Sequence, residues 1–181
     1  MWGASPDEDR DLAQDLLADE KEGMERVIIF SRTKHGADRV AKNLAIDGHD
    51  AAAIHGNKSQ NARQAALKGF SNGSVRILVA TDIAARGIDV QGITHVVNYE
   101  LPDDPENYVH RIGRTGRNGA SGIAITLCDG TEKSKLRDVE RLIRRTLPVS
   151  GDVNLVEEAS APRQPRNAPG APAGKRSARN P

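Results

Sequence analysis

The sequence predicts an α/β domain in which a doubly wound, mainly parallel sheet is flanked by helices. Two observations favour this fold class. Short apolar segments alternate along the chain with segments of helical periodicity. The apolar segments are also hydrophobic throughout, rather than at every second position, as in parallel strands that are buried on both faces. The chain has 181 residues, which is enough for one such domain and an additional tail.

Five strands and five helices are predicted between residues 25 and 147. In doubly wound sheets, ligands bind outside the carboxyl ends of the strands, so the informative side chains should follow each apolar run. Ser59 is predicted to cap the second helix. The strands are predicted at 27–31, 51–55, 76–81, 95–99 and 122–128, and the helices at 34–46, 61–70, 83–86, 106–117 and 132–145.

The two ends of the chain differ from the middle in composition. Residues 1–24 are acidic with helical periodicity, which predicts an acidic helical linker. Residues 148–181 are rich in Pro, Gly, Ala and Arg, and residues 159–181 hold five basic residues and no acid. We expect this second segment to be a disordered basic tail. The formal net charge of +1 therefore conceals local charges of both signs and indicates little about partners.

Several classes of protein and site are disfavoured by simple features of the sequence. Cys128 is the only cysteine, which excludes an internal disulfide and a cysteine-based metal cluster, and its apolar surroundings predict a small buried side chain. We expect no metal site in this chain. The first residues lack the pattern of a signal peptide, and no apolar run approaches the roughly 20 residues that span a bilayer. A cytoplasmic location without a membrane partner is predicted.

The segment YVHRIGRTGRNG, at 108–119, concentrates positive charge in a sequence that is unfavourable for a helix. It holds His110, Arg111, Arg114 and Arg117, with a glycine at every third position. On the predicted helix, His110, Arg114 and Arg117 would share one face. Because no acids are interspersed, this face is better explained by a bound polyanion than by solvation. Phosphate groups are the expected anion, and they could belong to a nucleotide, a nucleic acid or both.

The segment VATDIAARGIDV, at 79–90, places two acids after a predicted strand. Asp82 is equally explained as a helix cap or as a ligand-binding group. Asp89 follows Gly87, and its carboxylate is suited to accept a hydrogen bond from a ribose hydroxyl.

The segment AIHGNKSQNAR, at 53–63, runs from a predicted strand through Gly56 into a helix. Backbone N–H groups at a helix N-terminus bind phosphate well. Arg63, one turn into that helix, could add a direct phosphate contact, although a strand, turn and helix with a surface arginine are common.

These segments, together with VIIFSRTKHGADRVA at 27–41, resemble the C-terminal RecA-like domain of DEAD-box RNA helicases, closest to the bacterial RhlE-type branch. The resemblance covers about residues 25–147, and the ATDIAARGID and HRIGRTGR segments are highly specific together. It implies a single RecA-like domain.

The resemblance also implies residue roles. Arg114 and Arg117 would reach across a cleft to the γ-phosphate of ATP, which is held with Mg²⁺ mainly by another domain. His110 would link the two domains, and Phe30 would pack beside the arginine segment. Asp89 and Gly87 would contribute to the nucleotide site. The expected RNA-backbone contacts are Thr33, Gly56, Arg63, Thr81 and Gly87.

Two expected parts of such an enzyme are missing from the sequence. It contains neither a GxxxxGK[ST] phosphate loop nor an Asp-Glu-Ala-Asp segment, and the family carries both on its N-terminal RecA-like domain. We therefore expect the C-terminal half of an ATP-dependent RNA helicase that is inactive alone. The implied partners are RNA, that N-terminal domain and a regulatory protein docking on this domain. The alternative is a stand-alone RNA-binding or protein-docking module without catalysis.

Overall fold

The computed structural model describes residues 24–117 and 119–149. The predicted acidic linker therefore lies outside the described residues except for Met24, and so does the predicted basic tail after residue 149. In the described part, five parallel strands form one sheet in the order β2-β3-β1-β4-β5. The strands are β1 (Val27–Phe30), β2 (Ala51–Ile54), β3 (Ile77–Ala80), β4 (His95–Asn98) and β5 (Ile123–Thr126).

Helices connect these strands and cover the sheet. They are α1 (Lys34–Ile46), α2 (Gln60–Asn72), the short α3 (Asp82–Ala85), α4 (Pro105–Ile112) and α5 (Lys133–Ile143), which follows a 3₁₀ turn at Gly130–Glu132. The predicted doubly wound α/β class is confirmed, with every pairing in the sheet parallel. The five predicted strands all occur, each shorter by one to three residues than its apolar run.

The core has two layers because alternate residues of the central strands point to opposite faces of the sheet. On one face, Ile28 and Leu78 pack with Phe70 of α2. On the other face, Ile29 and Val79 pack with α1, where the buried residues are Ala37, Val40, Ala41 and Leu44. Strands β1, β3 and β4 are buried along their whole length, which explains why β1 and β3 are apolar at every position. In β4 the buried residues include the polar His95 and Asn98.

The fifth strand is not buried along its length, because it lies at one edge of the described sheet. Ile123 is 41% exposed, and β5 ends at Thr126, before the end of the predicted strand at 128. Cys128 lies beyond the strand and is exposed. The prediction of a buried Cys128 is therefore wrong.

Helix α5 packs against α4, where Leu101, Tyr108 and Val139 form a third buried cluster. This contact supports α4, the helix that precedes the arginine segment. None of the helices in the described ranges is both long and apolar enough to cross a membrane.

Candidate functional site

Three of the predicted RNA-contact residues lie in a row along the side of the sheet where the strands have their carboxyl ends. Thr33, Thr81 and Gly56 follow the carboxyl ends of β1, β3 and β2, which are consecutive neighbours in the sheet. The Thr81 N–H donates a hydrogen bond to the carbonyl of Ile54, at 3.3 Å, which joins the ends of β2 and β3. Because neighbouring strands are about 4.8 Å apart, the row spans about 10 Å.

Two helices begin at this same side of the sheet. The Thr33 hydroxyl accepts a hydrogen bond from the Gly36 N–H, at 3.0 Å, and so caps α1. Ser59 caps α2 in the same way through the Ala62 N–H, at 3.2 Å, which confirms the predicted cap. Arg63 lies in the first turn of α2 and is partly exposed. The positive ends of two helix dipoles therefore face the side that carries the row.

Glu100 holds the loop between β1 and α1, and sequence reasoning missed it. Its carboxylate accepts hydrogen bonds from the Arg32 N–H, at 2.7 Å, and from the Ser31 hydroxyl, at 3.2 Å. The Arg32 guanidinium lies 3.8 Å from the same carboxylate. The only available signal was an acid directly after the apolar run of β4. These bonds fix the backbone that leads to Thr33.

A cavity of about 310 Å³ opens beside this row, between the ends of β1 and β3 and one side of α4. Its lining includes Phe30, Gly87, His110, Arg111 and Arg114. Three of the residues predicted to act in nucleotide binding or catalysis, Gly87, His110 and Arg114, therefore come together.

Arg111 has a different role from the other two arginines of its segment. Its side chain is 1% exposed and forms a bidentate pair with Asp82, at 2.6 and 2.8 Å. It also donates to the Glu100 carbonyl, at 2.7 Å, and lies 5.2 Å from the centroid of the Phe30 ring. The expected packing of Phe30 is thus confirmed. Asp82 is the first residue of α3 rather than its cap, which is Thr81, so the cap interpretation of Asp82 is wrong.

The predicted helix over 106–117 ends early. Helix α4 stops at Ile112, and Gly113 follows as its C-cap. The Thr115 hydroxyl donates to the Ile93 carbonyl, at 2.5 Å, and Gly116 adopts a φ of 66° in the left-handed region. Arg114 and Arg117 therefore lie on a loop, and the prediction that they share a helix face with His110 is wrong.

The loop nevertheless presents both arginines beside the segment that carries Asp89. Arg114 donates to the Ile88 carbonyl, at 3.1 Å, and Arg117 to the Gly113 carbonyl, at 2.7 Å. The Arg117 guanidinium is 4.0 Å from the Asp89 carboxylate, and the two side chains are 44% and 90% exposed. Such an exposed, distant pair leaves both groups available to a ligand.

Positive charge at this loop is incompletely balanced. Burial and, to a smaller extent, the charge of Arg117 lower the pKa of Arg114. In the described ranges Arg114 forms no ion pair with a carboxylate. A bound anion would relieve both effects, so the loop is suited to bind phosphate.

The described part of the chain contains no group of three His, Cys, Asp or Glu side chains that could hold a metal ion.

Comparison with known proteins identifies similar domains. The helicase conserved C-terminal domain family matches residues 8–119. The DEAD-box ATP-dependent RNA helicase CshA of Bacillus subtilis is 45% identical over 140 residues, which are 77% of this chain and 28% of the relative. The chain thus spans about a quarter of the length of the curated relatives that it matches.

Solved structures agree with this. The Escherichia coli DEAD-box protein SrmB, bound to the regulator of ribonuclease activity RraA, superposes with a TM-score of 0.74 and 33% identity, covering 88% of this chain and 93% of the other. Saccharomyces cerevisiae Dbp5 bound to RNA and ADP BeF3 gives 0.67 and 32%, covering 75% and 36%. The five-stranded parallel sheet is therefore RecA-like.

Proposed function

The chain belongs to the helicase conserved C-terminal domain family, and on this premise we propose that it acts as the C-terminal RecA-like half of a DEAD-box ATP-dependent RNA helicase. Its named relatives are ATP-dependent RNA helicases. The RhlE-type branch remains a proposal from sequence, since the named relatives are CshA proteins. The cytoplasmic location and the domain limits at 25 and 147 also remain sequence predictions.

The single observation that carries the proposal is the arrangement of Arg114 and Arg117 beside the cavity. Arg114 lines it, and Arg117 lies on the same loop next to Asp89. We propose that both guanidiniums bind the γ-phosphate of ATP and stabilise the charge that develops during hydrolysis. Asp89 would accept a hydrogen bond from the ribose, with Gly87 beside it. His110, exposed on α4, would contact the other domain.

The other half of the catalytic site is proposed to come from an N-terminal RecA-like domain. That domain would supply the phosphate loop and the carboxylates that hold Mg²⁺ with ATP, since this sequence contains neither a GxxxxGK[ST] loop nor an Asp-Glu-Ala-Asp segment. This chain's residues would close the cleft, exclude water and orient the γ-phosphate. Two domains are therefore required before hydrolysis can proceed.

RNA is proposed to bind along the row formed by Thr33, Thr81 and Gly56, with Arg63 and Gly87 beside it. The row consists of helix N-termini, hydroxyls and backbone, which contact phosphate and sugar rather than bases. We therefore expect binding that depends little on RNA sequence. Regulatory proteins form a further proposed class of partner, by analogy with the RraA complex of SrmB.

The proposal is tested by measuring ATP turnover with and without single-stranded RNA. The 181-residue chain should show no turnover alone. It should gain RNA-stimulated turnover when the N-terminal RecA-like domain of a DEAD-box helicase is fused ahead of residue 1. Strong hydrolysis by the chain alone would contradict the proposal.

A stand-alone binding module without catalysis is the second candidate. The basic composition of residues 159–181 favours it, because a basic segment binds RNA through salt-sensitive phosphate contacts. It predicts RNA binding that a nonhydrolysable ATP analogue does not affect, even in the two-domain protein. The helicase proposal instead predicts that the analogue tightens RNA binding.

A further inference from the structure

A buried histidine joins two of the loops that carry the row. His55 is 2% exposed and follows β2. Its Nε2 lies 3.0 Å from the carboxylate of Asp38 on α1, and Nζ of Lys58 lies 2.8 Å from the same oxygen. We call Asp38, His55 and Lys58 the α1–β2 bridge. Nothing in the proposed nucleotide or RNA contacts uses these three side chains.

The backbone around His55 defines which ring nitrogen carries the proton. The Asn57 N–H donates to Nδ1, at 3.3 Å, so Nδ1 is an acceptor. Nε2 then carries the hydrogen and lies in contact with the Asp38 carboxylate, at 3.0 Å. The Lys58 N–H also donates to the His55 carbonyl, at 3.1 Å. His55 therefore fixes the turn that contains Gly56 from both its ring and its backbone.

The bridge ends on the two elements that present predicted RNA contacts. Asp38 lies on α1, whose N-cap is Thr33. Gly56 lies between His55 and Asn57, and the same turn leads to Ser59, the cap of the helix that carries Arg63. The hydrogen bonds from His55 and then from Lys58 lower the pKa of Asp38, so its carboxylate is charged at neutral pH.

On the basis of the proposed function, we infer that the α1–β2 bridge is a positioning device for RNA. Asp38 and His55 hold the Thr33 cap and the Gly56 turn at the spacing that one RNA strand requires. Neither side chain needs to touch the RNA. The bridge is thus a determinant of RNA affinity rather than of ATP hydrolysis.

Charge and position make opposite predictions for Asp38, which makes the inference testable. A carboxylate near a polyanion repels it, so removing the charge should strengthen RNA binding if electrostatics alone mattered. Removal would also free the Lys58 ammonium to bind phosphate. If the carboxylate acts by position, its removal should weaken RNA binding instead.

The test uses two variants of the two-domain enzyme described above. Asp38→Ala removes both the charge and the hydrogen-bond acceptor, whereas Asp38→Asn removes the charge and keeps an acceptor oxygen. Asp138→Ala is the matched control, because Asp138 pairs with Arg141 on α5 at 2.9 Å and lies outside the row. The RNA concentration that gives half-maximal ATP turnover and the turnover at saturating RNA are measured for each.

We expect Asp38→Ala to raise the half-maximal RNA concentration roughly three- to tenfold, the loss expected for one hydrogen bond, with saturated turnover unchanged. Asp38→Asn should retain most of the affinity, and Asp138→Ala all of it. The effect of His55→Gln should not add to that of Asp38→Ala, because both break one contact. Tighter or unchanged RNA binding by Asp38→Ala, or a fall in saturated turnover alone, would overturn the inference.

Failure of the proposed function is recognised separately through Arg63→Ala. If the parent enzyme shows no RNA stimulation, or if Arg63→Ala leaves RNA binding unchanged, the proposed RNA path fails and the inference fails with it. If Arg63→Ala weakens binding and Asp38→Ala does not, only the inference fails.

Measurements on the chain and on the two-domain protein, both without substitutions, cover the case in which Asp38→Ala does not fold. Nuclear magnetic resonance should show a slowly exchanging proton on Nε2 of His55. Oligouridylate in the presence of the nucleotide analogue should shift this resonance and the Gly56 amide in the two-domain protein. A proton on Nδ1, or no shift of either resonance, would overturn the inference.

Discussion

Arg111 and the pair Arg114 and Arg117 belong to one short segment but occupy opposite environments. Arg111 is buried and satisfied by Asp82, Glu100 and Phe30 of its own domain. Arg114 and Arg117 find mainly backbone carbonyls and remain available. The comparison shows that neighbouring cations in one segment divide into one that stabilises the domain and two whose guanidinium groups are not held by a close carboxylate.

The largest expected effect is on catalysis and concerns Arg117. Arg117→Ala should reduce ATP turnover of the two-domain enzyme by about 10³-fold or more, because the developing charge loses a guanidinium. RNA affinity should remain close to that of the parent enzyme. Steady-state turnover and RNA titration check both expectations, with Arg137→Ala on the exposed side of α5 as the control. A loss of less than tenfold would place Arg117 outside the catalytic site.

The next effect falls on stability and concerns Arg111. Arg111→Ala should lower the free energy of unfolding by about 3 kcal/mol, since it leaves the partly buried Asp82 carboxylate without its partner. Arg114→Ala should change it by about 0.5 kcal/mol or less, because its guanidinium is penalised by burial. Urea denaturation of the chain compares the two. Equal losses would remove the distinction drawn between these arginines.

A smaller effect is expected at the glycine that shapes the arginine loop. Gly116→Ala should lower the free energy of unfolding by about 1 kcal/mol, because a φ of 66° is unfavourable for a residue with a Cβ. Gly130→Ala is the control, since its added Cβ would meet nothing within 4 Å. If Gly116→Ala were as stable as the parent chain, the turn after Gly113 would not constrain the arginines.

The smallest effect concerns the exposed ion pair of Lys135 and Asp103, which contrasts with the buried pair of Arg111 and Asp82. Lys135 and, more weakly, Arg32 lower the pKa of Asp103. A lowered folded-state pKa stabilises the domain above the unfolded value, near 3.9, and this contribution is lost as the pH falls through the folded-state pKa. Asp103→Asn should therefore cost less than about 1 kcal/mol at pH 7. The difference from the parent chain should shrink as the pH falls below the unfolded value and disappear below the folded-state pKa, as measured by urea denaturation across pH.

The sheet was predictable because burial on both faces leaves a direct mark on sequence. β1 and β3 are apolar at every position, and the carboxyl ends of all strands had to lie on the same side once the sheet was parallel. The row of Thr33, Thr81 and Gly56 follows from that alone. The edge strand was less predictable, because Ile123 is apolar yet exposed, and Cys128 was misplaced with it.

The geometry of the arginine segment could not be predicted from the sequence. Charge density predicts an anion site there, but it does not distinguish Arg111 from Arg114. Their separation depends on where α4 ends, and on distant partners such as Asp82 and Glu100. The contact between Asp38 and His55 was likewise not predicted, because it joins elements that are separated in the chain.

The planar guanidinium group of Arg111 constrains which substitutions this sequence can accept. Its nitrogens donate in one plane toward the tips of three strands: to Asp82 after β3, to Asn98 and the Glu100 carbonyl around β4, with the ring of Phe30 from β1 below. A lysine ammonium cannot reproduce that planar set of bonds. Positions 82 and 111 should therefore change together or not at all, and a redesign of this edge would have to exchange them as one unit.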